Sequence, residues 1–512
     1  MNIISDPWLQ VEYLDGSFQK VSVRQAFVDA QKIKKLVTPV FQQKQAYIYD
    51  VAVIQFLTVI LLAAYFKPEN NFQAQNDEFA KDLLDEGWDI DLILAYLAKY
   101  QHKFNLTDDK YPFFQDIRLK GTEKTDNCSK ASILIPSDNA FVFKNGKEKF
   151  DLKNYKISEE ELIYTLIYTR ILSGPISSQV YGRSLSWNTE LWVIPTRTNL
   201  FETLICNALP LKHSNTGSNY DRPSWEFDSI EEIIAFKQNT AIEQNILLAV
   251  TFPSNPVYCE IQNGYLFAYA IAEKGKATEQ CLFDGAEVQQ LATGYLSVNP
   301  WSVITYGKDS QTKENVWKPK GCPLELKIMF LCMMVTEHLP DGICCPILDN
   351  DLQMIHGSEC YIYYRSFGDA MRMSLARFGR LESIDQDTLS LMQKPEYRDI
   401  LNHFVDAYKE IRGTFSTFYS TKSFKQQVLS YTDYDNLDKT FAAAAETVFF
   451  SKFLPNLDQP DISKTSIAEL ITLAKNLFWN IHDQVPDVCK FMTSYHLFVA
   501  RLNKIKKKEG IE

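Results

Sequence analysis

The chain has 512 residues, 46% hydrophobic, 13% aromatic and 23% charged, with 19 Gly and 20 Pro; 53 Lys and Arg against 64 Asp and Glu give a formal charge of −11. At roughly 150 residues per domain this length suits two or three domains with a core that needs no disulfide or metal staple, and the composition excludes a disordered, collagen-like or low-complexity chain. The acidic balance excludes a free-standing, non-specific nucleic-acid binder, whose affinity would come mostly from counterion release; any such contact needs local basic patches or partners that supply the positive charge.

Ile3-Ile4 and Trp8 to Tyr13 read as a strand broken at Asp6-Pro7, and Asp15-Gly16 predicts a hairpin turn into Phe18–Val23. A helix is expected from about Arg24 with Phe27 and Ile33 on its apolar face, another over 45–65, and a third over 89–100. The most apolar run, Val51 to Phe66, is shorter than the roughly 20 residues that span a bilayer and predicts a buried core helix. Tyr111-Pro112-Phe113-Phe114-Gln115 is an extended aromatic segment, because a proline biases its predecessor away from helix. Ser158 followed by Glu159, Glu160 and Glu161 opens a helix expected to end near Ser173-Gly174-Pro175.

Residues 176–365 read mostly as short strands, with helices at about 199–209 and 324–338. Beyond Phe367 the pattern turns helical, with segments at 370–379, 396–414, 437–454, 467–481 and 486–506 carrying apolar residues at i, i+3, i+4 spacing. The expected fold class is therefore α+β: a mixed α/β domain over 1–365, then a C-terminal antiparallel, four-helix-type bundle over 366–512. The N-terminus lacks a basic stretch followed by an apolar run, so a cytoplasmic protein without membrane contact is expected.

Catalytic signatures are scarce. None of the ten cysteines forms a C-x-x-C pair, and the seven histidines are scattered, so no metal or other cofactor is expected. P-loop, H-E-x-x-H and G-x-S-x-G patterns are absent. His482-Asp483 leaves open a metal-dependent nuclease or phosphohydrolase, but further ligands at usable spacing are missing, and a solvated pair is the plainer reading. A non-catalytic subunit leads. Two basic features remain. The segment 121–156 carries seven lysines interleaved with Phe141, Phe143 and Phe150, a mix suited to holding a nucleic-acid backbone and stacking on bases. The tail Arg501, Lys504, Lys506, Lys507 and Lys508 also simply complements a helix C-terminus.

The order of these elements resembles the CasA family, the large subunit of the type I-E CRISPR surveillance complex, Cascade. The resemblance rests on Asn2-Ile3-Ile4-Ser5-Asp6-Pro7-Trp8-Leu9-Gln10-Val11, on Tyr111-Pro112-Phe113-Phe114-Gln115, and on Thr125-Asp126-Asn127-Cys128 at the head of a long loop. Leu200-Phe201-Glu202-Thr203-Leu204 and Arg222-Pro223-Ser224-Trp225-Glu226 follow in the right order. What the resemblance implies is a subunit with no active site of its own, partnered by the backbone and small subunits, the CRISPR guide RNA, target double-stranded DNA and a recruited helicase–nuclease. Its task would be to read the protospacer-adjacent motif and open the duplex while guide pairing carries the sequence.

By the same resemblance, Asn127, Cys128, Lys130, Lys144 and Lys147 become candidates for DNA or guide contact. The family's glycine-rich loop maps onto 177–183, where only Gly182 remains, so Gln179 and Arg183 are expected to read the motif by side chain. Lys274 and Lys276 are candidates for the supporting lysine. The strand wedge maps onto 350–353, where Asn350 and Gln353 suit phosphate better than Asp351. A helical scaffold without nucleic-acid contact stays open as a further alternative.

Overall fold

The first hairpin follows from Asp15-Gly16: Gly16 adopts φ +83°, and Tyr13 N–H donates to Ser17 O at 2.8 Å, a left-handed turn that costs glycine nothing. Strand β1 (Leu9–Tyr13) pairs antiparallel with β2 (Phe18–Val21) and with β3 (Ile33–Leu36). Helix α1 (Val23–Val28), capped by the Ser22 hydroxyl, lies between β2 and β3. The helix expected from Arg24 is thus shorter than its apolar spacing suggested, and Ile33 opens a strand instead. Lys34 and Lys35, at 2.8 and 3.1 Å from the two oxygens of Glu12 on β1, tie β3 across the sheet, a tertiary pairing that periodicity does not reveal.

In this computed structural model the described residues are 1–37, 47–67, 79–120, 156–171, 191–208, 220–229, 257–270, 359–368, 372–381, 394–419, 431–485 and 487–511, with short pieces between 232 and 392. Helix α2 (Tyr47–Tyr65) has the predicted character, with every residue from Val51 to Phe66 buried. Two polar residues ride inside it. Thr58 Oγ1 donates to Ile54 O at 2.8 Å, whereas neither the amide nitrogen nor the oxygen of buried Gln55 has a hydrogen-bond partner among the described residues. An unsatisfied buried amide costs roughly 1–3 kcal/mol, so Gln55→Met is expected to raise stability by about 1–2 kcal/mol. Urea denaturation checks this; a loss of stability would show that the amide is satisfied in solution.

Helix α3 (Phe79–Glu86) has no counterpart among the expected elements, while α4 (Ile90–Tyr100) starts at the Asp89 cap as predicted. Helix α5 (Glu159–Ile171) begins with a reciprocal capping box: Ser158 N–H donates to Glu161 Oε2 at 2.7 Å and Glu161 N–H to Ser158 Oγ at 3.1 Å. Strand β4 (Leu191–Thr196) leads into α6 (Leu200–Asn207), whose Asn199 cap accepts from Glu202 N–H. Helix α7 (Ile246–Thr251) precedes the hairpin of β5 (Val257–Gln262) and β6 (Tyr265–Ala270). Asn263 and Gly264, at φ 54° and 83°, make its two-residue turn, the positive-φ pair that a tight hairpin requires.

Short strands β7 (Ile304–Thr305), β8 (Asn315–Val316) and β9 (Ile343–Cys344) form a small sheet. Strand β10 (Glu359–Gly368) then pairs antiparallel with β4 and with β11 (Arg372–Leu381). The helix expected over 370–379 is therefore a strand. Its apolar spacing fits either state, and the ladder along β10, from Cys360 opposite Leu381 to Gly368 opposite Arg372, decides it. The helix expected over 324–338 lies outside the described residues.

The chain divides into two compact units, Met1–Lys318 with Pro340–Glu382, and Pro319–Leu339 with Ser383–Glu512. The first is a mixed, helix-rich unit with small sheets. In the second, α8 (Pro395–Tyr419), α9 (Tyr431–Val448), α10 (Ile462–Trp479) and α11 (Val488–Lys508) pack on one another. Pro395 stands at the first turn of α8, where its missing N–H costs nothing. Thr432 to Asp435, which precede the helix expected over 437–454, fall inside α9. Tyr408 stacks on Phe441 at 5.7 Å, and Phe498 meets Phe415 at 5.1 Å and Phe478 at 4.3 Å.

Candidate nucleic-acid interface

All residues proposed from the sequence for nucleic-acid contact lie outside the described residues: Asn127, Cys128, Lys130, Lys144 and Lys147 within 121–155, Gln179, Gly182 and Arg183 within 172–190, Lys274 and Lys276 within 271–300, and Asn350 and Gln353 within 345–358. The points where these segments leave the fold are described, and several gather on one element.

That element is the β5–β6 hairpin. Asp116 N–H donates to Val257 O at 2.9 Å, and Cys259 N–H donates to Gln115 Oε1 at 2.8 Å. The Gln115 amide nitrogen in turn donates to Leu106 O at 2.7 Å. The chain entering the lysine-bearing segment is thus pinned to β5, with Lys120 Nζ 5.9 Å from the Tyr258 ring. The chain returning from it meets the hairpin's turn, where Lys156 bridges Tyr265 and Ile157 N–H donates to Gly264 O at 2.9 Å. Six strand residues at roughly 3.3 Å each separate these two roots by about 20 Å.

Helix α5 carries the chain from the turn to the root of segment 172–190. There Arg170 Nη2 donates to Phe114 O at 2.7 Å, returning to the residue two places before Asp116. Segment 271–300 starts where β6 ends, opposite Val257. The structure therefore gathers the roots of three of the four proposed contact segments. The fourth, 345–358, leads into β10, in the β11-β10-β4 sheet.

Beneath these roots three of the short sequence motifs, at 2–11, 111–115 and 222–226, meet around one aromatic core. Phe114 sits at φ 54°, a conformation rare for a bulky residue; it turns its carbonyl to Arg170 and stacks its ring on Phe113 at 4.3 Å. Trp225 lies 5.4 Å from Phe104, 5.8 Å from Phe56 and 6.0 Å from Phe114, and its indole N–H donates to Tyr96 Oη at 2.8 Å. The N-terminal motif joins through Asn2, whose Nδ2 donates to Asn105 Oδ1 at 2.7 Å, and through Ile3 N–H to Phe104 O at 2.9 Å. Trp8, deep in the same unit, donates from its indole to Ile3 O at 2.9 Å. Leu200 to Leu204 belong to α6, where the Phe201 ring meets Trp88 at 4.6 Å.

Sequence reasoning missed the polar half of this core. Lys67 forms a buried ion pair with Glu226 and donates to the hydroxyls of Tyr100 and Tyr220, each at 3.2 Å. Tyr96 donates to Glu226 Oε1 at 2.7 Å. Burial, reinforced by the Glu226 carboxylate, holds the Tyr96 and Tyr100 hydroxyls above the usual tyrosine range, so both remain donors. The one local hint was that Lys67 directly follows the most apolar run in the chain.

The His482-Asp483 pair lies in the other unit. Its side chains meet at 2.9 Å and are exposed, with His482 Nδ1 3.1 Å from Trp479 O and its ring stacked on Trp479. Among the described residues no group of three or more His, Cys, Asp or Glu could hold a metal ion, and no helix is long and apolar enough to cross a membrane.

Motifs that converge on one core define the class of protein here. The family model for CRISPR-associated protein Cse1 matches residues 2–257, the stretch that holds all of those motifs. The chain belongs to this family, in agreement with the resemblance to CasA read from the sequence. The fold is similar to that of Thermus thermophilus CasA (Cse1), with a TM-score of 0.62 and 13% identity over 99% of each chain. Cse1 from Acidimicrobium ferrooxidans is similar at TM-score 0.57 and 14% identity, over 99% of this chain and 98% of that one. A chain of a CRISPR RNA-guided surveillance complex is similar at TM-score 0.56 and 12% identity, over 98% of this chain and 99% of that one. No curated protein sequence matches the chain.

Proposed function

We propose that this protein is the large subunit of a type I-E CRISPR Cascade complex, that it recognises the protospacer-adjacent motif in target double-stranded DNA, helps open the duplex and recruits the helicase–nuclease, and that it does no cutting itself. The match to the Cse1 family over residues 2–257 carries this reading. Likeness to a chain of an RNA-guided surveillance complex supports the guide RNA and the other Cascade subunits as partners. The gathering of loop roots on the β5–β6 hairpin supports a shared contact surface for 121–155, 172–190 and 271–300. Asn350 and Gln353 are the proposed wedge, and α8–α11 are read as an antiparallel four-helix bundle that closes a C-terminal domain. The acidic total charge fits a subunit whose partners hold most of the nucleic acid.

The test uses the assembled complex and fluorescently labelled duplexes over a range of salt concentrations. Reversing Lys130, Lys144 and Lys147 to Glu is expected to weaken all targets alike, and to lower the log K–log salt slope by about 0.9 for each phosphate that is no longer neutralised. Gln179→Ala or Arg183→Ala is expected to change which flanking motifs are accepted, by about 1–3 kcal/mol per base read. Unchanged affinity and slope after the lysine reversals would remove the loop from the DNA interface.

A further inference from the structure

Segment 110–118, the end of α5, residues 224–229 and Ile233 line an open cavity of about 240 Å³. Its floor is made by buried Arg170, Phe114 and Trp225, and its mouth by exposed Lys110, Asp228 and Ser229. Four cationic side chains line it against two carboxylates, and both carboxylates are already held. Arg118 grips Asp116 through Nε at 2.8 Å and Nη2 at 2.7 Å. Lys103 Nζ and Tyr111 Oη take Asp228 Oδ1 at 2.6 and 3.2 Å. Arg170 and Lys110 are the two cations of the lining that make no ion pair among the described residues, although Asp116 and Asp228 attract them from further off.

Arg170 is only 6% exposed, and its Nη1 has no hydrogen-bond partner among the described residues. Its Nη2 is used by the Phe114 carbonyl, and its guanidinium lies 5.1 Å from the Phe114 ring. Burial pulls its pKa down to about 10, against a smaller opposing pull from the Asp116 carboxylate, so it stays charged at neutral pH. Lys110 stands 4.7 Å from the Tyr111 ring at the mouth and makes no ion pair among the described residues. A buried cation with a spare donor at the floor and an exposed cation at the mouth together match a dianion. The aromatic lining of Tyr111, Phe114, Trp225 and Phe227 matches a flat ring.

We propose that this cavity binds a phosphate monoester carried on a flat ring, a ligand of mononucleotide size, with Lys110 and Arg170 contributing the charge that retains the phosphate. A phosphate monoester carries about −1.5 to −2 at pH 7, which suits two cations outside any ion pair better than a single carboxylate does. None of the lining residues is among the loop residues assigned to duplex contact, so the proposal stands or falls without that assignment.

The experiment is calorimetric titration of the purified full-length chain with adenosine monophosphate, adenosine, inorganic phosphate and a 5′-phosphorylated oligonucleotide. Saturable binding of the monophosphate is expected, with adenosine weaker by at least about tenfold. Lys110→Glu, at an exposed position, is expected to weaken the monophosphate by about tenfold or more while leaving the thermal midpoint of the ligand-free chain unchanged. Arg170→Lys keeps a cation but loses the fork, and is expected to weaken binding as well. If the oligonucleotide binds in the same Lys110-dependent way, the ester comes from a strand end; if only the monophosphate does, it comes from a free nucleotide. Adenosine binding as tightly as its monophosphate, no saturable binding of either phosphate ester, or indifference to Lys110→Glu overturns the proposal.

Discussion

Glu226→Ala is expected to destabilise the protein by about 3–5 kcal/mol, because it strands a buried cation. The side chains of Lys67 and Glu226 are 5% and 1% exposed, so neither partner reaches bulk water when the other is removed. The Lys67 ammonium would keep the faces of Tyr96, Tyr100 and Tyr220, at 5.2, 5.0 and 5.0 Å, and the hydroxyls of Tyr100 and Tyr220. Cation–π attractions of about 1–2 kcal/mol each do not replace a carboxylate in a dry site. The hydroxyls that now donate to Glu226, at 2.7 Å from Tyr96, 3.2 Å from Tyr100 and 3.1 Å from Tyr220, would be left without their acceptor as well. Lys67→Met combined with Glu226→Leu removes both charges and is expected to recover most of the stability. Equilibrium unfolding in urea checks both variants. A single-variant cost below about 1 kcal/mol would mean that water reaches the pair.

Trp225→Ala should be of comparable size, about 3–5 kcal/mol, through a different mechanism. Its indole fills the space between Phe56, Phe104 and Phe114, and a deleted aromatic leaves a cavity that these three rings cannot close together. Its N–H also satisfies Tyr96 Oη at 2.8 Å. Trp225→Phe keeps most of the packing and removes only that hydrogen bond, so a cost of about 1–2 kcal/mol is expected. Circular dichroism during chemical denaturation separates the two. Equal costs for Ala and Phe would show that the hydrogen bond, and not the packing, dominates.

These two residues belong to the motif Arg222-Pro223-Ser224-Trp225-Glu226, which the sequence marks only as a family resemblance. In the structure they hold a core on which the roots of the proposed contact segments rest. The Tyr111 to Gln115 motif has the same character. Gln115 spans Leu106 and Cys259, and Phe114 takes a left-handed conformation that places its carbonyl on Arg170. The motifs at 111–115 and 222–226 are thus residues that anchor the loops, while the residues proposed to touch nucleic acid lie outside these two motifs.

Elements governed by neighbours along the chain were legible without coordinates. The Asp15-Gly16 turn needs a positive φ, the Ser158–Glu161 box satisfies its own helix start, and the Val51–Phe66 run is apolar on every face and must be buried. Elements governed by distant partners were not legible. Residues 372–381 carry a spacing compatible with helix, and only pairing with β10 makes them a strand; Ile33 became a strand residue because β1 offered it an edge. The Lys67–Glu226 pair joins positions 159 residues apart, and Arg170 meets Phe114 across 56. No local pattern encodes such meetings, because their energy arises only when burial has removed water from both groups at once.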